Sequence, residues 1–160
     1  MDIKAINKEN CLELVPLFME LECYYFKEDA ASENELTHYL KHQVFSEHSS
    51  IKIIAAYEHD SIIGFASYTV MYPAPKLSGQ MYMKDLFVSS IARGKGVGIQ
   101  LMKHIATLAV TSGCQRLDWT AENTNPIAGQ FYRSIGAAHL VEKEYYRFEG
   151  ETLKAFSLPQ

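Results

Sequence analysis

Between residues 80 and 112 the chain changes period across three closely spaced glycines, and this change limits the fold more than any other feature. Gln80 to Val88 alternates like a β-strand. Ile99, Leu101, Met102, Ile105, Leu108 and Ala109 then recur at the three- and four-residue spacing of a helix from Gly98 to Ser112. Arg93-Gly94-Lys95-Gly96-Val97-Gly98 lies between them. A strand passing through a glycine-rich turn into a helix excludes all-helical and all-β architectures. It also marks the helix start, where the first N–H groups lack intrahelical partners and the dipole adds positive charge. Glycines let a phosphate approach the backbone, and Arg93 and Lys95 add charge-assisted contacts, so a pyrophosphate suits the turn better than a single carboxylate. An ordinary strand-to-helix connection is the alternative reading of these six residues.

Spacing tests two nucleotide motifs. The Walker pattern needs Ser or Thr after Gly-Lys, and Lys95 is followed by Gly96. The dinucleotide pattern needs G-x-G-x-x-G, whereas the chain has G-x-G-x-G with Ile99 at the final position; Asp118 still stands where a ribose-binding acid would be expected. A dinucleotide-binding protein therefore stays open as an alternative.

The rest of the chain alternates strands and helices without repeats or linkers. Ile3 to Ile6 predicts an opening strand, and Asn7 a helix cap followed by an apolar stripe at Cys11, Leu14, Val15, Phe18, Leu21 and Tyr25. Ser32 and Glu35 form a capping-box pattern before Leu36, Tyr39, Leu40 and Val44. Ile51 to Tyr57 and Ile62 to Tyr72 read as a hairpin, and Pro73 to Gly79 as a loop. Arg116 to Thr120 predicts a strand, Pro126 to about Ile135 a helix stopped by Gly136, and Tyr145 to Phe148 a last strand. A mixed α/β sheet covered by helices follows.

With 160 residues, 48% of them hydrophobic and 21% charged, the chain is expected to form one globular domain over residues 1–160. No apolar run approaches the roughly 18 residues of a membrane-spanning helix, and the N-terminus lacks signal-peptide features, which predicts a soluble, cytoplasmic protein. Cys11, Cys23 and Cys114 are too scattered for a disulfide framework or a zinc ribbon. His38 and His42 are spaced i, i+4 without an evident third ligand, so no metal is expected. The net charge of −4 argues against nucleic acid as a partner. Residues 1–47 carry a balance of −6 against +2 for the rest, so the N-terminal third either steers a cationic substrate or is a solvated acidic face.

The glycine turn, the preceding Asp85-Leu86-Phe87-Val88, the segment Asn125-Pro126-Ile127-Ala128-Gly129-Gln130-Phe131-Tyr132 and the later Gly136-Ala137 together resemble the GCN5-related N-acetyltransferases. The resemblance runs from about Ile3 through Phe156 and looks most like the diamine (spermidine/spermine) acetyltransferases and their small bacterial relatives. It implies a mixed, mostly antiparallel sheet of about six to seven strands flanked by about four helices. It also implies acetyl-CoA as co-substrate, a small-molecule amine as acceptor and a homodimer. The implied cofactor residues are Leu86, Phe87, Val88, Arg93, Gly94, Lys95, Gly96, Val97, Gly98, Ile99, Asn125, Ala128 and Tyr132.

Amide formation from a thioester needs a neutral amine, a polarised carbonyl and a proton for the departing thiolate. The resemblance gives the proton to Tyr132 and the polarising donor to the Val88 N–H. Polyamine-acetylating relatives carry Glu just before the strand's Asp; here that residue is Lys84, leaving Asp85 and Glu122 as candidates for the base. Tyr24, Tyr25 and Glu28 fall where the family places its acceptor, and acids among aromatics suit a cationic amine. Lys84 opposes a second positive charge, so an amine that carries a carboxylate competes with a polyamine as the acceptor, and both stay open. A non-catalytic acyl-CoA sensor is the remaining alternative.

Overall fold

The computed structural model describes residues 1–159. Its strands are β1 (Asp2–Ile6), β2 (Lys52–Glu58), β3 (Ser61–Ala74), β4 (Ser78–Val88) and β5 (Cys114–Asp118). They form one sheet in sequence order; β1 to β4 pair antiparallel and β5 runs parallel to β4. The α-helices are α1 (Val15–Phe26), α2 (Glu33–Tyr39), α3 (Val97–Thr111), α4 (Pro126–Ser134) and α5 (Gly150–Ser157). The chain forms two compact units, Met1–Thr120 with the sheet and α1 to α3, and Ala121–Gln160 with α4 and α5.

The mixed α/β class stands, but the described residues form five strands where six to seven were expected and five α-helices where about four were, because Tyr145 to Phe148 pairs with no edge and α5 follows it. The hairpin closes through a His59-Asp60 turn with His59 at φ 55°. The Ser32 and Glu35 side chains and backbone N–H groups cap α2 reciprocally.

Four further expectations change. Asn7 does not cap the first α-helix; its side chain accepts the Glu9 and Asn10 N–H groups in a turn. A 3-10 turn at Cys11–Leu14 follows, and α1 begins beside Pro16, which lacks an N–H and tolerates only a first turn. Tyr25 points to solvent and Leu17 is buried instead. Pro73 to Gly79 is not a continuous loop, because β3 runs to Ala74 and β4 starts at Ser78. Tyr145 to Phe148 is not a strand. A strand needs a neighbouring edge, and this segment makes local contacts instead: Tyr146 donates to Glu144, and Arg147 pairs with Glu149. Glu149 and Thr152 then cap α5, a helix that sequence reasoning missed.

Helix α1, the 3-10 turn before it and the Leu40–Val44 turn after α2 cover one sheet face. Leu14, Val15, Leu17 and Leu40 cluster with Ile53, Ala55, Tyr57, Phe65 and Phe87, and Phe18 stacks on Phe65 at 4.9 Å. Helix α3 covers the other face, where Val97 and Leu101 stand over Gly64. The β3–β4 register pairs Tyr68 with Met83 but Ser67 with Asp85, so Lys84 is an extra residue in β4. This β-bulge immediately precedes Asp85 and lies two residues before Leu86.

Candidate functional site

β4 ends at Leu86, Phe87 and Val88, and its continuation turns through a 3-10 segment, Ser90–Ala92, into the glycine-rich sequence. Gly94 and Gly96 take φ of 75° and 79°, backbone that glycine adopts without strain. A Cβ would meet nothing within 4 Å at Gly94 and only Ile99 Cγ2, at 3.9 Å, at Gly96, so these glycines serve backbone shape and leave the space before them open. Gly96 caps α3 without a side-chain hydrogen bond. The first-turn N–H groups of Val97, Gly98 and Ile99 are therefore not taken by a cap, and Lys95 beside them is exposed. This arrangement fits a pyrophosphate.

Arg93 is partly committed to the protein. Its Nε donates to the Val88 carbonyl at 3.1 Å, and its guanidinium lies over the rings of Phe87 and Tyr24, at 5.8 and 5.9 Å. Only its terminal nitrogens remain to reach an anion. Tyr24, expected to line the acceptor site, thus touches Arg93 at the start of the glycine-rich turn. Tyr25 packs edge-on against Tyr24, and Glu28 follows in an exposed 3-10 turn. No ion pair joins Glu28 to Lys84 among the described residues.

Sequence reasoning missed Glu20, one helical turn before Tyr24 on α1. Its Oε1 accepts the Ser90 N–H at 2.7 Å. Partial burial works to raise its pKa, but the Ser90 N–H, the Ser89 and Ser90 hydroxyls and the Arg93 charge outweigh it and hold the carboxyl below the usual range. No sequence signal marks Glu20, because its partner lies 70 positions away.

Asp85 accepts the Ser67 hydroxyl at 2.5 Å and faces Lys84 Nζ at 3.6 Å, so two partners orient it. In the second unit, Asn125 caps α4 by accepting the Ala128 N–H at 3.2 Å, and the Glu122 carbonyl accepts the Asn125 N–H. Pro126 occupies the first turn, and Tyr132 lies on α4 with its ring 5.3 Å from Phe131. The His38 and His42 rings lie 4.5 Å apart. No described helix is long and apolar enough to cross a membrane.

The model of the acetyltransferase (GNAT) family matches residues 14–137. The chain belongs to that family. It is 31% identical over 96 residues to a thialysine N-epsilon-acetyltransferase of Bos taurus, covering 58% of this chain and 56% of the relative. It is also 31% identical over 94 residues to an L-ornithine acetyltransferase of Arabidopsis thaliana, covering 59% and 41%. The chain thus spans about half the length of the curated relatives it matches. An integron cassette protein from the mobile metagenome of V. cholerae is 67% identical, with a TM-score of 0.96 over 98% of this chain and 96% of that one.

Proposed function

We propose that the protein, with residues 1–160 acting as one domain, transfers an acetyl group from acetyl-CoA to a primary amine of a small molecule in a ternary complex. The observation that carries this reading is the uncapped start of α3, reached from β4 through the Ser90–Ala92 segment and opened by Gly94 and Gly96. It accompanies membership of a family of acetyltransferases. The backbone of residues 93 to 99 would hold the pyrophosphate, with Lys95 and the Arg93 terminal nitrogens adding charge. Asn125 and Ala128 complete the proposed cofactor residues.

In the transfer step the amine nitrogen attacks the thioester carbonyl, a C–N bond forms and the C–S bond breaks. The Val88 N–H would polarise the carbonyl oxygen, Asp85 or Glu122 would take the amine proton directly or through water, and Tyr132 would protonate the thiolate. A phenol keeps its proton at neutral pH and so has one to give.

Lys84 favours an amino-acid-like acceptor over a polyamine. Its exposed ammonium repels a second cation and attracts a carboxylate. Thialysine and ornithine, named for the two relatives, are amino acids carrying both groups. Tyr24, Tyr25 and Glu28 would line the approach of the amine. A cytoplasmic homodimer is part of the same proposal.

The test is release of CoA thiol from acetyl-CoA across a panel of diamino acids, polyamines and simple amines, run with wild type and Lys84→Glu. Turnover with diamino acids, lowered in Lys84→Glu with a gain toward polyamines, supports the reading. Acetyl-CoA binding without turnover on any amine would instead identify an acyl-CoA sensor.

A further inference from the structure

The Glu20 carboxylate lies beside a turn assigned to a pyrophosphate, where a negative charge works against the ligand. Its geometry explains its presence. Ser90 is the first residue of the 3-10 segment leaving β4, and its N–H points at Glu20 Oε1 from 2.7 Å. Ser89, just before it, is buried at 6% exposure and donates its N–H to the Ile63 carbonyl of β3 at 2.9 Å. The Ser89 carbonyl accepts the Ala92 N–H, which closes the segment. One turn further along α1, the Tyr24 ring meets the Arg93 guanidinium, which is in turn tied to the Val88 carbonyl. One face of α1 therefore touches the connection at its beginning, through Glu20, and at its end, through Tyr24.

We propose that Glu20 is a positioning residue: its carboxylate latches the Ser89–Ala92 segment to α1 and so fixes where the glycine-rich turn presents its N–H groups to the cofactor. This rests on the acetyl-CoA reading for its consequence but not for the latch itself. A hydrogen bond from a backbone N–H to a carboxylate is stronger than one between neutral groups, and it closes a contact between residues 70 positions apart. The carboxylate touches neither reacting atom, so its loss shows in binding and not in the chemical step.

The substitutions separate the hydrogen bond from the charge. Glu20→Gln keeps an oxygen for the Ser90 N–H and removes the like charge, whereas Glu20→Ala removes both. Ser90→Pro deletes the donor instead. Proline suits this first helical position, and Ser89 at φ −52° and ψ 142° already has the extended backbone that precedes a proline.

Two readouts apply. In the ligand-free protein, amide hydrogen exchange at Ser90 is slow in wild type and Glu20→Gln and about tenfold or more faster in Glu20→Ala. In calorimetry with CoA, Glu20→Ala and Ser90→Pro each weaken affinity about tenfold, Glu20→Gln stays at wild type or tighter, and the double variant Glu20→Ala/Ser90→Pro is no weaker than either single one. KM for acetyl-CoA rises in step while kcat at saturation holds, unlike the loss of active fraction a general destabilisation would cause. Should Glu20→Ala fail to fold, Ser90→Pro carries the test. Wild-type exchange and affinity in Glu20→Ala, a Glu20→Gln protein as weak as Glu20→Ala, or additive losses in the double variant would each overturn the latch. Failure of wild type to bind CoA would refute the acetyl-CoA reading, while Ser90 exchange would still report on the latch.

Discussion

Gly64 supports the site from below, and replacing it with alanine tests that support quantitatively. The residue is buried in β3 opposite Val88 and has no positive φ, so alanine meets no backbone penalty there. Space is the difficulty. An added Cβ would lie 3.0 Å from the Phe87 carbonyl oxygen, 3.0 Å from Val97 Cγ1 and 3.3 Å from Leu101 Cδ1, where ordinary contact begins at 3.4 Å. The neighbours must give way by up to 0.4 Å, the difference between those limits. Neither close neighbour moves cheaply, since one is backbone of β4 and the other is a side chain 2% exposed at the start of α3. Overpacking of this kind costs about 1–3 kcal/mol.

Gly79→Ala provides an internal comparison. A Cβ there also comes within 3.0 Å of its neighbour, but that neighbour is the edge of the Tyr72 ring, which is 68% exposed and free to swing aside. Cys114 Sγ, at 3.1 Å, is the remaining obstacle, and the expected cost is below about 1 kcal/mol. Urea unfolding followed by Trp119, the single tryptophan, reads both variants. Calorimetry should show CoA affinity falling several-fold in Gly64→Ala, because Phe87 and Val97 flank the turn, and staying at wild type in Gly79→Ala. A Gly64→Ala protein within about 0.5 kcal/mol of wild type, or one less destabilised than Gly79→Ala, would refute the reasoning.

Gly96→Asp places bulk and negative charge before the α3 N–H groups and should weaken CoA binding on the order of 10²-fold by calorimetry, with an unchanged circular dichroism spectrum. Tyr132→Phe keeps the ring and removes the hydroxyl, so CoA affinity should hold while kcat falls on the order of 10²-fold; lost stability with full turnover would indicate a packing role only. Tyr57 donates to Glu13 at 2.6 Å, and burial first, then that bond and the Glu13 charge, push its pKa up to about 12 from 10.0. A raised pKa means this stabilisation is intact below pH 10 and lost as pH rises toward 12. Urea titrations should show an alkaline loss that is absent in Tyr57→Phe, itself destabilised by about 1 kcal/mol at pH 7.

What could be read from the sequence was what neighbours in the chain decide. The hairpin, the α2 cap, the α3 stripe and the glycine turn each depend on residues a few positions apart, and each forms where expected. Pro126 and Gly136 bounded α4 for the same reason. The failures required distant information. Tyr145 to Phe148 has strand-forming side chains, but a strand is a property of two edges, and periodicity names only one. Tyr25 continued a helical stripe past the point where the sheet lies beneath it and so turned to solvent. Glu20 resembled any surface acid until Ser90, 70 positions later, arrived beside it.

The β4 bulge shows how such distant pairing bears on the proposed chemistry. Strict alternation would put Met83, Asp85 and Phe87 on one face. Met83 in fact lies opposite Tyr68, on the face carrying Gly64 and α3, whereas Phe87 lies opposite Phe65 and joins the α1 cluster. The extra residue, Lys84, makes that exchange possible. It brings Phe87 under the Arg93 guanidinium and Asp85 against Ser67, and Lys84 itself has no packing to satisfy, its side chain being 67% exposed. At a position released from the core in this way, the lysine meets only solvent and the neighbouring Asp85 carboxylate, 3.6 Å away. Under the proposed function, a lysine at this position would favour an acceptor that carries a carboxylate over one that carries a second cation.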